Sequence, residues 1–292
     1  MSSFLQQVIN GLSIGSVYAL MAVGYSLVYS IMNFSNFAHG GVIMLGAYIG
    51  LYALSLLSLP FVAALVFAAF GAGLIAVVLE KIAYSPLRRR NAPGLYFIIS
   101  AMGASIFLEN FVVATIGPTF RTYPQIFDSK PFMFGDIALG RIDVLMFIIS
   151  AISLGILMFI IEKTKVGLAI RATSYSAKGS AFMGVNVDWI IFVIFILGGM
   201  LAGVAGMLFG MKYTVYPQIG IITNKSFIAA VFGGLGSLPG AVVGSILLGL
   251  IETFASVAGY STYRDLIAFA LLILILVVRP TGLMGKATED KA

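Results

Sequence analysis

The sequence predicts an all-α polytopic membrane protein built from about eight hydrophobic segments. Of its 292 residues, 60% are hydrophobic and only 10% are charged, whereas a soluble domain is usually about a quarter charged. The mean hydropathy is +1.07, and apolar stretches long enough to cross about 30 Å of hydrocarbon recur along the chain. Lipid is therefore expected to be the solvent for much of the protein surface.

The apolar stretches define the predicted segments of a single transmembrane domain, residues 1–292. They cover residues 8–31, 41–59, 60–79, 95–117, 144–161, 190–211, 226–258 and 266–278. The stretch 226–258 is broken by a Gly- and Pro-rich sequence at 233–240, which predicts a re-entrant pair of half-helices with both ends on one side. One continuous span is the alternative. Irregular backbone at membrane depth must be covered by protein or water, so this pair is expected to pack centrally.

The distribution of basic residues predicts the orientation of the chain. Lys and Arg concentrate in the connections 80–93 and 162–188, and the positive-inside rule places such loops in the cytoplasm. By alternation, the connection 118–142 is extracytoplasmic and the N-terminus lies outside. The tail is also basic and is expected to be cytoplasmic; its basic residues are Arg279, Lys286 and Lys291.

Small residues recur at helical spacing in several stretches and predict close helix packing. Lipid gives helices no hydrophobic reason to associate, so backbone approach through small residues drives their packing. The glycines expected to act in this way are Gly11, Gly15, Gly199, Gly203, Gly206 and Gly210.

A polar sequence directly follows the first stretch. Residues 33–41 contain Asn33, Asn36 and His39, the single histidine of the chain, and are expected at or just below the cytoplasmic boundary. One interpretation is a connector whose Asn and Ser side chains cap the second helix and whose histidine bonds a carbonyl. The other is a broken-helix element that lines the transport path or forms a gate. A lone histidine in a chain without cysteine argues against a metal site.

Glu109 lies well inside the stretch 95–117. An ionisable group within a span is costly and by default indicates a functional site or an internal ion pair, although a carboxylate close to the outer interface can be solvated. Glu252, in the second half of the broken stretch, raises the same question. The candidate pathway or gate residues are Asn33, Asn36, His39, Gly40, Glu109, Gly234, Gly236 and Pro239.

The sequence contains no phosphate loop that could drive transport. The pattern G-x-x-x-x-G-K-[ST] does not occur, because Gly285-Lys286 is followed by Ala287. Uphill transport would need another subunit or an ion gradient. The connection 166–188 mixes apolar and basic residues and could form helix–turn elements that present Phe182 and Met183 to a groove on a partner. An ordinary solvated loop is the alternative.

Three groups of sequence strings resemble those of a known family. They are residues 10–20 with 36–40 and 44–48, residues 171–188 leading into 201–206, and residues 229–241. The most specific string is Asn-Phe-Ala-His-Gly at 36–40. On these strings the chain resembles the permease subunits of branched-chain amino-acid ABC importers, specifically the shorter, LivH-like type. That family is similar to urea and short-amide permeases and, more remotely, to sugar permeases.

The resemblance implies one subunit of a larger importer in the bacterial inner membrane. The implied partners are a second, related permease, two cytoplasmic ATPases that bind ATP and Mg, and an extracytoplasmic solute-binding protein. This chain would need no cofactor and would carry no catalytic residue. It would translocate leucine, isoleucine and valine by alternating access. The alternatives are a urea or short-amide ABC permease and a stand-alone secondary transporter or channel.

The resemblance also implies that residues 162–188 are the cytoplasmic coupling loop. The residues implied to couple to the ATPase are Arg171, Ala172, Ser176, Lys178, Gly179, Ala181, Phe182, Met183 and Gly184. Relatives often carry an acidic residue just before the alanine of this loop, whereas this chain has Ser176 before Ala177. This departure leaves open which contact of the loop transmits force.

Overall fold

The computed structural model describes residues 2–127, 131–134 and 137–285, and in these ranges the protein is an assembly of helices with one small hairpin. The helices are α1 (Ser2–Met32), α2 (His39–Ser55), α3 (Phe61–Leu79), α4 (Ser85–Arg89), α5 (Gly94–Ile116), α6 (Arg141–Lys163), α7 (Lys165–Tyr175), α8 (Ala177–Phe182), α9 (Val187–Lys212), α10 (Thr223–Gly233), α11 (Leu238–Ala255) and α12 (Arg264–Val278). The antiparallel strands are β1 (Phe132–Phe134) and β2 (Ile137–Leu139). The predicted all-α polytopic architecture is confirmed.

The predicted hydrophobic segments correspond to α1, α2, α3, α5, α6, α9, the pair α10–α11, and α12. Six continuous helical stretches of the described chain are long and apolar enough to cross a membrane. One of them joins α3 through a π-helical turn to α4, and another runs from α11 through α12. Helix α2 is shorter, at 17 residues, because it begins inside the bundle.

The connections lie on two opposite faces of the bundle. We call the basic face the one that contains the end of α1, helix α4, the α7–α8 hairpin and the start of α9, where Arg88 forms an ion pair with Asp188 at 2.8 Å. We call the loop face the one that contains the connection after α5 and the end of α9, where Arg121 and Val215 pair through their backbones. Lys286 and Lys291, expected in a cytoplasmic tail, lie outside the described residues.

Helices α1 and α9 form the centre of the bundle, and small residues allow their neighbours to approach. Gly203 lies against α3, where a methyl group at this position would be 2.8 Å from the Ala72 Cβ. Gly206 leaves no room for a side chain beside the Ile43 carbonyl of α2. On α1, a methyl group at Gly15 would be 2.9 Å from the Ile246 Cα of α11. Close backbone packing of this kind holds helices together in lipid.

The remaining glycines predicted to act in packing also lie at helix contacts. Gly11 of α1 faces Leu250 of α11, and Gly199 of α9 faces Ala76 of α3. Gly210, near the end of α9, instead faces Val215 and the ring of Tyr123 in the loop-face connections.

The broken stretch forms a helical hairpin with its turn at the basic face. Helices α10 and α11 run antiparallel, and the Gly233 and Gly240 backbones touch beside the turn. Gly234 and Gly236 adopt φ of +111° and +83°, which only glycine takes readily. The expectation that both ends lie on one side agrees with this geometry. Helix α11 is no half-helix, however, because its 18 residues span about 27 Å.

Candidate translocation path and coupling surface

The connection predicted as a coupling loop forms two short helices, α7 and α8. Each helix begins at a side chain that accepts a backbone N–H: Thr164 Oγ1 from Gly167 and Ser176 Oγ from Gly179, both at 3.1 Å. Such caps satisfy donors that a helix start leaves without a partner. Asn186 caps the start of α9 in the same way through the Trp189 N–H, at 3.0 Å. The α7–α8 hairpin is therefore an ordered element of the basic face.

The tip of α8 exposes two large apolar side chains. Phe182 is 90% exposed and Met183 is 86% exposed, and Gly184 follows with φ of +85° to end the helix. Exposed Lys178 and Ala181 lie on the same short helix. Apolar residues this exposed gain nothing from the fold of this chain, so the tip is a candidate surface for a partner.

Other residues of the predicted coupling set act within the chain. The Arg171 guanidinium donates a hydrogen bond to the Ile161 carbonyl at the end of α6, a contact that favours basic side chains at helix C-termini. Ser176 and Gly179 form the cap of α8. Ala172 is exposed on α7. The structure thus separates the set into residues that stabilise the hairpin and residues that its tip presents.

Residues 33–38, which we call the re-entrant segment, do not stay at the boundary of the bundle. His39, which follows them, lies with Nε2 3.2 Å from the Met21 carbonyl oxygen, and Met21 is about 16 Å along α1 from its end at Met32. The segment therefore turns back beside α1 to about mid-depth. This sequence was expected at or just below the cytoplasmic boundary, but His39 lies deeper, because its contact with α1 draws it inward.

The polar side chains around the re-entrant segment are paired inside the protein. Asn33 takes φ of +52° directly after α1, and the Asn36 amide oxygen accepts a hydrogen bond from the Tyr84 hydroxyl at 2.7 Å. Helix α2 starts after Ala38 without a side-chain cap, so the expectation that Asn and Ser cap it is wrong. The expected bond from the histidine to a carbonyl is present.

Two irregular segments meet at mid-depth through glycine. Gly40, at the start of α2, approaches Gly220 so closely that a methyl group on Gly40 would be 2.6 Å from the Gly220 carbonyl oxygen. Gly220 belongs to a 3-10 turn, Pro217–Ile222, which enters the bundle ahead of α10. Both broken segments are buried here, as irregular backbone at membrane depth requires.

The α10–α11 turn is covered by the chain that follows α12. The Leu283 and Met284 N–H groups donate to the carbonyls of Phe232 and Gly233, at 3.0 and 2.8 Å. The Gly236 N–H donates to Ser26 Oγ at 3.0 Å, and Pro239 lies in the first turn of α11. Gly234, Gly236 and Pro239 thus form a packed turn at the basic face, well away from Gly40.

Glu109 is not brought together with the other candidate residues. It lies half-buried on α5, one turn after Ser105. Its neighbour Leu108 packs over Gly41 at the start of α2.

Sequence reasoning missed a cluster of charged side chains near the loop face. Lys225 Nζ lies 2.9 Å from Glu252 Oε1 and 3.1 Å from Asp265, and the Tyr18 hydroxyl donates to Glu252 Oε2 at 3.0 Å. Glu252 therefore has the internal cation that its position demands. The sequence did not single out Lys225 as a buried charge, because this residue directly precedes the apolar stretch 226–258 and was counted outside it.

A second ion pair lies beside this cluster. Lys212 and Asp143 join the end of α9 to the start of α6 at 2.5 Å, and Ser13 Oγ donates to Asp143 at 3.0 Å. Burial raises the pKa of the neighbouring Tyr213 hydroxyl; Arg264 opposes this shift, and Asp143 and the Glu252 carboxylate reinforce it. In the described part of the chain, no three His, Asp or Glu side chains converge to hold a metal ion.

The family to which this architecture belongs follows from comparison with known proteins. The model of the protein family described as "branched-chain amino acid transport system / permease component" matches residues 7–276. The chain belongs to this family. The permease protein BraD of the high-affinity branched-chain amino acid transport system of Pseudomonas aeruginosa is 39% identical over 99% of this chain and 98% of its own length. LivH of Escherichia coli is 38% identical over 99% and 97%.

A solved structure shares the fold of this permease. PsaBC from Streptococcus pneumoniae in complex with Fab gives a TM-score of 0.52 over 95% of this chain and 92% of that chain, at 15% identity. An identity this low concerns the architecture alone. The resemblance drawn from the sequence strings is confirmed by the family match and by the full-length relatives.

Proposed function

We propose that this chain is a membrane-spanning permease subunit of an ATP-driven importer that translocates branched-chain amino acids by alternating access. The family match and the names of the BraD and LivH relatives support the cargo. The exposed tip of α8, with Phe182 and Met183, is the observation that supports a power source outside this chain. A permease that worked alone would have no use for such a tip.

The orientation follows from the basic residues. In this proposal the basic face, with Arg88 and the α7–α8 hairpin, faces the cytoplasm, as the positive-inside rule favours. The loop face and the N-terminus are then outside, the described end of the chain is inside, and the membrane is the bacterial inner membrane.

The proposed partners each meet a different surface. Two cytoplasmic ATPases bind ATP and Mg, and one of them receives the α8 tip in a groove. An extracytoplasmic binding protein docks on the loop face, over the connection after α5 and the residues that follow α9. A second, related permease completes the path. Closure of the ATPases would then move α7–α8 and change the side to which the path opens.

Uptake by the complete importer in liposomes tests the proposal. Labelled leucine is expected to accumulate only with ATP and the loaded binding protein. The matched control replaces ATP with a non-hydrolysable analogue and adds a sodium or proton gradient. Accumulation driven by either gradient would contradict an ATPase-coupled permease, and preferential uptake of labelled urea would contradict the cargo.

A further inference from the structure

A cavity of about 390 Å³ opens near the loop face and reaches to the middle of α1. It extends from Gln7 and Asn10 to Tyr18, between the ends of α9 and α11 and the start of α12. Its charged lining consists of Asp143, Lys212, Glu252 and Arg264. Two carboxylates and two cations give it no net charge but separate positive and negative poles.

Arg264 is the cation of this cavity without a partner in the described residues. Its Nε is buried and has no hydrogen-bond acceptor, and it forms no ion pair within the described ranges. By contrast, Lys212 is neutralised by Asp143 at 2.5 Å. A buried donor without an acceptor is costly, and a guanidinium binds a carboxylate with two parallel hydrogen bonds. An external carboxylate would satisfy Arg264.

Glu252 supplies the complementary negative group. It is 4% exposed, and its cation, Lys225, is shared with Asp265, at 2.9 and 3.1 Å, so one cation serves two carboxylates. The Oε2 of Glu252 is occupied by the Tyr18 hydroxyl. Glu252 and Arg264 both act electrostatically on that hydroxyl, and all three side chains line the same cavity.

We infer that this cavity binds the zwitterionic backbone of an α-amino acid, with its carboxylate on Arg264 and its ammonium facing Glu252. This inference rests on the proposed function and specifies where the cargo first meets the permease. A ligand with one positive and one negative group fits a cavity of zero net charge, since neither pole is left unpaired. Urea and short amides carry no charges to fill either pole, so the site distinguishes an amino acid from them.

Uptake by the complete importer tests the assignment through Arg264→Gln and Glu252→Gln. Leucine moved per ATP hydrolysed is expected to fall at least tenfold in each, while ATP hydrolysis stimulated by the binding protein stays within twofold of wild type. Arg264→Lys is expected to recover part of the uptake, because lysine keeps the positive charge but lacks the planar pair of N–H donors that matches a carboxylate. The matched control is Arg90→Gln, which removes an exposed guanidinium on the basic face, outside the cavity lining.

A second measurement needs no variant. Leucine binding to the wild-type importer in nanodiscs, without the binding protein, is followed by saturation-transfer NMR. Leucinamide lacks the carboxylate and 4-methylpentanoate lacks the ammonium, and each is expected to compete at least tenfold less well than leucine.

The outcomes separate the site from the function. Wild-type leucine uptake with unchanged variants, or equal competition by both analogues, would overturn the site and leave the proposed function standing. Uptake and ATP hydrolysis that fall together with thermal stability would show a purely structural ion cluster and also overturn it. A wild-type importer that moves no leucine would overturn the proposed function and, with it, this ligand.

Discussion

The re-entrant segment and the α7–α8 hairpin look alike in sequence but play opposite parts in the structure. Each is a polar connection beside a long apolar stretch. The re-entrant segment is drawn into the bundle, and the His39 that follows it is 3% exposed. The hairpin stays on the basic face, where Phe182 is 90% exposed.

The contrast shows how burial decides what a polar connection can do. In the re-entrant segment, the polar groups of Asn36 and of the adjoining His39 are satisfied by other parts of this chain, so their removal should first destabilise the fold. In the hairpin, capping bonds hold the helices and leave the apolar tip free. Changes at the tip should alter transport and leave the fold intact.

The largest effect is expected from Gly40→Val. Its side chain would collide with the Gly220 carbonyl oxygen and with Thr223 Oγ1, which lie 2.6 and 2.9 Å from a Cβ at this position. Overpacking of a tight core costs about 3 kcal/mol at its upper range, so the apparent melting temperature in detergent should fall by roughly 6–12 °C. Size-exclusion chromatography after heating measures this shift.

The matched control for Gly40→Val is Gly103→Val on α5, where no atom lies within 4 Å of a Cβ. It should change the melting temperature little. A Gly40→Val protein as stable as the control would mean that the contact at mid-depth is loose, and the contrast with the hairpin would lose its basis.

The next effect is expected from Phe182→Ala at the tip of α8. Apolar anchors at protein interfaces commonly contribute about 2 kcal/mol or more, so leucine uptake by the complete importer should fall at least tenfold. The melting temperature of the chain should not change, because the ring is 90% exposed. Uptake in liposomes and thermal stability, measured on the same preparation, check both parts.

Leu168→Ala provides the control for Phe182→Ala, since Leu168 on α7 is also exposed, at 61%, but lies away from the tip. It should leave uptake unchanged. If Phe182→Ala transports as well as Leu168→Ala does, the tip is not the surface that receives the power stroke.

Sequence reasoning found what depends on local pattern and missed what depends on distant contacts. Hydrophobic stretches and the Gly/Pro break at 233–240 are local, and the structure has helices and a turn there. The depth of the re-entrant segment depends on the contacts of His39 with Met21 and of Gly40 with Gly220, which no local pattern reveals.

The charged cavity was missed for a related reason. Asp143, Lys212 and Lys225 each lie one residue outside an apolar stretch, where charges usually face solvent. Only the packing of α6, α9, α10 and α11 brings them together. The sequence does show charged residues at the ends of several apolar stretches. Without the packing of the helices, it does not show that these residues meet.

The smallest effect is expected from Arg171→Gln. This variant tests whether Arg171 only stabilises the α7–α8 hairpin, as distinct from the residues that the tip of α8 presents. The variant weakens the bond to the Ile161 carbonyl, and a hydrogen bond of this kind contributes about 1 kcal/mol. The melting temperature should therefore fall by roughly 2–4 °C, with uptake unchanged once it is normalised to folded protein. Lys165→Gln, which removes an exposed charge from the start of α7, should alter neither quantity. If Arg171→Gln instead lowers uptake as strongly as Phe182→Ala at constant stability, the guanidinium transmits force, and the coupling surface extends from the tip of α8 back to α7.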